Sequence, residues 1–237
     1  MAGGAGFEQR EHDGAVNFAR GARSAGVDRV VYLGGLGSEG VSKHLRSRHD
    51  TALLLRREGP PLTYFRAEMV VGARSESYRT LRYLVKRLPV MIAPSWLRTS
   101  TQPIAIDDVI EYLARAPDVP ASSGQEVQIG GPDVLGYGAM LDRMAVAMGL
   151  RPRPKIPVPF ITPWLSALWL GLVTPVDTNV ARPLVEGLRT ATIVTDPAPA
   201  EAFEIKPLGF DEALRRAVLE EAGEPRLPSA RATEVPG

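Results

Sequence analysis

A short β-branched and aromatic run that ends in glycines and restarts as a helix constrains this chain more than any other stretch. Val30-Val31-Tyr32-Leu33 runs into Gly34, Gly35 and Gly37; a polar loop follows, and a helix opens at about Ser42, carrying His44 and Arg48 one turn apart. A buried strand, a glycine turn and a helix make the βα unit of a parallel sheet. In such sheets ligands bind beyond the carboxyl ends of the strands. The loop 34–44 is therefore the expected place for chemistry.

The neighbouring segments extend the same alternation. A helix is expected over 8–25, where Ala15, Val16, Phe18, Ala19 and Ala22 recur at helical spacing. The helix over 43–57 is expected to bury Leu45, Ala52, Leu53 and Leu55 and to stop at Gly59-Pro60-Pro61. Residues 62–65 read as a second strand, ending in Arg66-Ala67-Glu68 and followed by Val70-Val71-Gly72. An amphipathic helix over 76–88 comes next, then a short strand over 103–106. Asp107 and Asp108 sit at a helix start, where carboxylates suit the unpaired N–H groups and the dipole. That role is favoured over an acid–base pair, because adjacent helical residues do not face each other. Arg66 and Glu68 read most plainly as a structural ion pair at a cleft mouth. A strand over 125–129 and a helix over 137–149 complete the pattern.

The fold class that follows is α/β, a parallel sheet flanked by helices. Past Leu150 prolines cluster, and helices are expected over 163–173, 179–189 and 210–222. The expected division is a sheet domain over 1–134, with 73–102 contributing to a lid; a mostly helical substrate or lid domain over 135–223; and a disordered tail over 224–237. The uncharged run 160–176, with Trp164 and Trp169, reads as a lid core helix rather than a membrane contact. It falls short of the ~20 residues a span requires.

Composition excludes several classes. There is no cysteine, so thiolate catalysis and zinc–sulfur sites are out. The three histidines, His12, His44 and His49, form no metal-ligand spacing with carboxylates, and no metal is expected. Lys+Arg 28 against Asp+Glu 27 leaves +1, which gives no general surface for nucleic acid. The first residues carry no apolar signal segment, so a cytoplasmic location is the default expectation.

The order of several motifs resembles one family. The run NFARGARSAGVDRVVYLGG resembles the fourth-helix and fifth-strand segment of extended short-chain dehydrogenases/reductases. FRAEMVVG is similar to that family's Arg-Pro-x-x-x-Tyr-Gly stretch, PIAIDDV to its hydrophobic–His–Val–x–Asp–Val stretch, and VQIGGPD to its Asn-Ile-Gly-Gly stretch. The likeness spans about 8–222 and is nearest to the atypical, NmrA-like members of the NAD-dependent epimerase/dehydratase group. It implies the C-terminal part of a Rossmann-like sheet, with NAD or NADP as cofactor and a small or lipophilic carbonyl or hydroxyl compound as substrate. It also implies Gly34, Gly35, Arg66, Ala67 and Val70 as cofactor-binding residues.

Two departures from the family matter. Gly34 and Gly35 stand where it has a Ser, His44 where it has the proton-exchanging Tyr, and Arg48 where it has the Lys that holds the ribose. His44 is still able to exchange a proton near neutral pH. Arg48 is able to hold a hydroxyl or phosphate but takes no part in proton transfer. His44 and Arg48 are thus the candidate catalytic pair, set against a solvated helical turn without catalytic duty. The second departure is the dinucleotide fingerprint, which needs a glycine turn directly after a strand. Gly3, Gly4 and Gly6 follow Met1 with no strand before them. The expectation is a chain lacking the glycine-rich N-terminal half, with impaired cofactor binding and an exposed sheet edge open to self-association. Two function classes compete: an NAD(P)-dependent reductase, epimerase or dehydratase, and a non-catalytic NAD(P)-binding regulatory or assembly protein similar to an accessory subunit of respiratory complex I.

Overall fold

The computed structural model describes residues 7–37, 43–93, 95–157 and 190–223. The expected helices over 163–173 and 179–189, the apolar run 160–176 and the tail 224–237 lie outside the described residues.

The chain begins with helix α1 (Phe7–Ser24), strand β1 (Val30–Gly35), helix α2 (Lys43–Glu58) and strand β2 (Leu62–Ala67). β1 and β2 pair in parallel, from Val30 opposite Leu62 to Gly35 opposite Ala67. The crossover through α2 is what a parallel pair requires. β2 is buried almost throughout, as befits a strand paired on both edges and covered on both faces. Its second neighbour is β7 (Glu126–Gln128), also parallel, so the main sheet has the order β1-β2-β7. Among the described residues, β1 has a strand neighbour on one side only.

Between β2 and β7 the chain forms β3 (Val70–Val71), α3 (Glu76–Arg87), β4 (Met91–Ala93), β5 (Ser100–Thr101), β6 (Ile104–Ala105) and α4 (Ile106–Arg115). After β7 come β8 (Leu135–Gly136), α5 (Tyr137–Ala147), β9 (Lys155–Pro157), α6 (Ala198–Glu201) and α7 (Phe210–Glu221). The strand expected over 103–106 does not join the main sheet. It is β6, which pairs in parallel with β3. β4 pairs with β9, and β5 with β8. These strands of two or three residues form separate two-stranded pairs beside the main sheet's three strands.

Among the described residues, three apolar clusters hold the fold. On one face of the sheet, α1 and α2 cover Val30, Leu62 and Tyr64 with Ala15, Ala19, Ala52 and Leu55. On the other, Phe65, Val127 and Ile129 meet Val109, Tyr112 and Ala116 of the α4 segment and Phe203. The third lies among α3, α5 and α7, around Tyr78, Leu84, Met140, Met144 and Leu214. The expectation for α2 is corrected at Leu53, which is 49% exposed. Ala52 and Leu55 carry the buried stripe, and Leu53 falls outside it. Leu45's side chain lies outside the described residues.

Asp107 and Asp108 open α4, as the dipole favours, but their partners are distant. Asp107 pairs with Arg216 at 3.3 Å, and the buried Asp108 accepts the Leu208 N–H at 2.7 Å. They fasten α7 and its approach to α4. Gly131 marks a close approach nearby: a Cβ there would stand 2.4 Å from the Pro103 carbonyl oxygen. Because the obstacle is backbone, Gly131→Ala is expected to destabilise the protein by about 1–3 kcal/mol, read as a lower urea midpoint at unchanged slope.

Candidate functional site

The carboxyl ends of β1 and β2 lie side by side. Gly34 is opposite Arg66 and Gly35 opposite Ala67, so these four expected residues are brought together by parallel register alone. Arg66 organises the place. Its Nη1 donates to Glu126 Oε1 at 2.7 Å, its Nε to the Gly35 carbonyl at 3.1 Å and its Nη2 to the Gly37 carbonyl at 2.6 Å. The expected Arg66–Glu68 pair is therefore corrected. The partner is Glu126 on the neighbouring strand β7, because β2 ends at Ala67, before Glu68. Leu36 N–H is bonded to the Ala67 carbonyl at 2.9 Å, so the turn after β1 is tied to β2 through both its donors and its acceptors.

That tie has a measurable consequence. Arg66 is only 15% exposed and Glu126 33%, so Arg66→Gln is expected to cost about 1.5–3 kcal/mol, in the range for hydrogen bonds to charged groups. Amide exchange should accelerate at Leu36 while Val31, deeper in the sheet, keeps its protection.

Gly34 has a packing reason to lack a side chain. A Cβ there would lie 2.8 Å from the Tyr64 hydroxyl. Tyr64 stacks on Tyr32, with ring centroids 5.6 Å apart. Burial, partly offset by the Arg66 and Arg48 charges, pushes the Tyr64 phenol up to about 12. Burial likewise raises Tyr32, with Arg48 acting against it. Arg48 thus stands close enough to this tyrosine pair to be felt by both. One residue before it, the buried Ser47 hydroxyl donates to Glu11 Oε2 at 2.5 Å and fastens α2 to α1. His44 falls in the first turn of α2, with its side chain outside the described residues, as is the loop 38–42. Val70 opens β3, a short step beyond the β2 terminus.

Glu68 follows β2 directly, where a ligand at the strand ends would be met. It is half-buried, and burial alone pushes its carboxyl up to about 7. Tyr137, at the start of α5, feels its charge; burial first and Glu68 second push that phenol upward. Thr101 and Thr192 hydrogen-bond to Tyr137, and Thr192 Oγ1 bonds Thr101 Oγ1 at 3.0 Å. This group was not legible as a unit in the sequence, since its members come from four separate segments.

A shallow hollow lies at the carboxyl ends of β3 and β6, lined by Val71, Gly72, Ala105 and Ile106 and closed by Asp107 and Arg216. Among the described residues there is no group of three or more His, Cys, Asp or Glu able to hold a metal ion.

No family model and no curated protein matches the sequence. Solved structures do match in shape. A nucleoside-diphosphate-sugar epimerase from Staphylococcus aureus superposes with a TM-score of 0.66 over 91% of this chain and 74% of its own, at 14% identity. The fold is that of the NAD(P)-dependent epimerases and reductases. UDP-glucose 4-epimerase from Thermotoga maritima, solved with UDP-glucose, gives 0.66 over 92% and 71% at 14% identity. dTDP-4-dehydrorhamnose reductase from Bacillus anthracis, solved with NADP, gives 0.64 over 93% and 79% at 12% identity. The epimerase/reductase fold agrees with the resemblance read from motif order and with the expected α/β class. Among the described residues, no helix is long and apolar enough to cross a membrane.

Proposed function

We propose that this chain is an NAD(P)-dependent oxidoreductase or epimerase of the atypical extended short-chain dehydrogenase type, acting on a small or lipophilic carbonyl or hydroxyl compound. The observation that carries the reading is the meeting of Gly34, Gly35, Arg66 and Ala67 at the carboxyl ends of two parallel strands, in an epimerase/reductase fold.

The described residues suit one end of the cofactor better than the other. Gly35 and Val70 offer partly exposed, uncharged surface at the strand ends, suited to a flat nicotinamide ring, while Gly34 and Ala67 are buried beneath it. Arg48 offers fixed donors to a ribose hydroxyl. The pyrophosphate end fits less well: the Leu36 N–H, a donor in the turn after β1, is already bonded to the Ala67 carbonyl. A cofactor bound here would supply or accept a hydride, and the chain would orient the substrate and move the proton. His44 is the first residue assigned to that proton, with Arg48 holding the ribose. Impaired cofactor affinity is part of the proposal.

The second reading is a non-catalytic NAD(P)-binding regulatory or assembly protein. It is favoured by the side chains at 44 and 48, which replace the Tyr and Lys of working relatives. Fluorescence titration with NADH and NADPH, followed by hydride-transfer assays on a panel of aldehydes, aliphatic ketones and quinones, separates the two. Binding without turnover selects the second reading; no binding of either nucleotide rejects both. If His44→Ala and Arg48→Ala leave cofactor affinity and turnover unchanged, these two assignments fail.

A further inference from the structure

The end of α3 and the β4–β9 pair gather basic side chains away from the strand ends of the main sheet. Lys86 and Arg87 close α3, and both are exposed. Arg151, Arg153 and Lys155 alternate with Pro152 and Pro154 on the approach to β9. Two hydrogen bonds bring the groups together. Arg153 Nε donates to the Val85 carbonyl, in the last turn of α3, at 3.3 Å, and the Met91 N–H donates to the Pro154 carbonyl at 2.9 Å. β4 then runs parallel to β9, with Met91 opposite Lys155. Lys155 is paired with Asp142, and Arg82 with Glu221. Arg87 lies 4.9 Å from the Tyr83 ring centroid, a contact that leaves its charge intact. Among the described residues, Lys86, Arg87, Arg151 and Arg153 have no carboxylate partner. The helix dipole accounts for cations at the end of α3. It does not account for Arg151 and Arg153, which lie in no helix.

Apolar side chains stand among these charges. Val90, between α3 and β4, is 40% exposed, and Ile156, in the middle of β9, is 55% exposed. Pro89, Pro152 and Pro154 are exposed as well and offer no backbone N–H. Cations beside protruding apolar groups match anionic headgroups over hydrocarbon. They match nucleic acid poorly, where cations are combined with base stacking or polar readout of base edges. The ring at hand, Tyr83, is half-buried and covered by Arg87. We propose that this face is a peripheral docking surface for an anionic phospholipid bilayer. Lys86, Arg87, Arg151 and Arg153 meet the headgroups, and Val90 and Ile156 seat below them. The surface stands apart from the NAD(P)-dependent reading and needs neither nucleotide nor turnover.

The test is co-sedimentation of the full chain with vesicles of phosphatidylcholine alone and of equal parts phosphatidylcholine and phosphatidylglycerol. Binding should appear only with the second, and should weaken as salt rises from about 0.1 to 0.5 M, because screening shortens the reach of the charges. A Lys or Arg near an anionic surface is worth about fivefold in partition, so Lys86→Gln with Arg151→Gln should lower the partition coefficient about 20-fold. Ile156→Ser should lower it about fivefold at every salt concentration, because that loss is apolar. Arg56→Gln with Arg57→Gln removes the same charge from α2, outside this face, and should leave binding within about twofold. The substituted side chains are all exposed, so each variant should melt like the parent. No binding to the phosphatidylglycerol vesicles at low salt overturns the proposal. Equal weakening by the α2 pair overturns it as a general charge effect, and binding that ignores Ile156→Ser overturns the seating in a bilayer. Retention of duplex DNA in place of the vesicles identifies nucleic acid as the partner and overturns it too.

Discussion

Phe65→Ala is expected to remove about 3–5 kcal/mol of stability, the range for emptying a fully buried aromatic site. Phe65 has no exposed surface and is the hub of a three-ring cluster. Its ring lies 5.4 Å from Phe203 and 6.0 Å from Tyr112, and those two are 5.3 Å apart. The cluster joins the central strand to α4 and to the segment following α6. Arg115 reinforces it by donating to the Phe203 carbonyl at 3.0 Å. Much of the loss should come from the void left behind, because the flanking side chains sit on a sheet and a helix that cannot both collapse inward. Urea denaturation should show a lower midpoint at unchanged slope. Leu53→Ala, on the exposed side of α2, provides the contrast and should stay within about 0.5 kcal/mol of the parent.

The second large effect depends on pH. Burial raises the Glu68 carboxyl from its usual 4.5 to about 7, so folding favours the protonated form. Between those values the folded protein holds more of this proton than the unfolded chain, and stability falls as pH rises. Below 4.5 both states are protonated and the penalty vanishes; above 7 it is complete. The shift corresponds to about 3 kcal/mol. Glu68→Gln, which keeps the shape and removes the ionisation, should match the parent near pH 4 and exceed its stability at pH 8. Paired urea melts at the two pH values measure this as a difference of differences, in which groups common to both proteins cancel. Equal stability differences at both pH values would show that Glu68 ionises freely.

The long elements were legible because their apolar residues repeat over several turns or fill a continuous run. β1, α2, β2, α3, α5 and α7 all fall within a few residues of where the sequence places them. β3, β5, β6 and β8 are two residues each, too short for any periodicity to register. The Arg66 pairing was misread for a different reason. Two opposite charges two positions apart suggest a local bridge, yet the strand ends between them and the partner is 126. Glu68 was legible as a residue near a cleft mouth but not as a carboxyl whose ionisation burial opposes. That burial comes from the fold around the end of β2, and no motif at 68 announces it. Phe203, an isolated aromatic in a proline-containing segment, gave no sign that it closes the core over β2.

The β1-β2-β7 sheet also sets the order in which the molecule can assemble. α1, β1, α2 and β2 are consecutive in the chain and can close over a short loop. β7 must then find the other edge of β2 from position 126, and Phe203 must return from further still. Closing such distant contacts carries an entropic barrier that is met before any burial rewards it. Refolding should therefore be slow for a domain of this size, with the first βαβ unit formed early. Until β7 arrives, β2 has one open edge and a bare Phe65 face, the arrangement most prone to join another chain during synthesis.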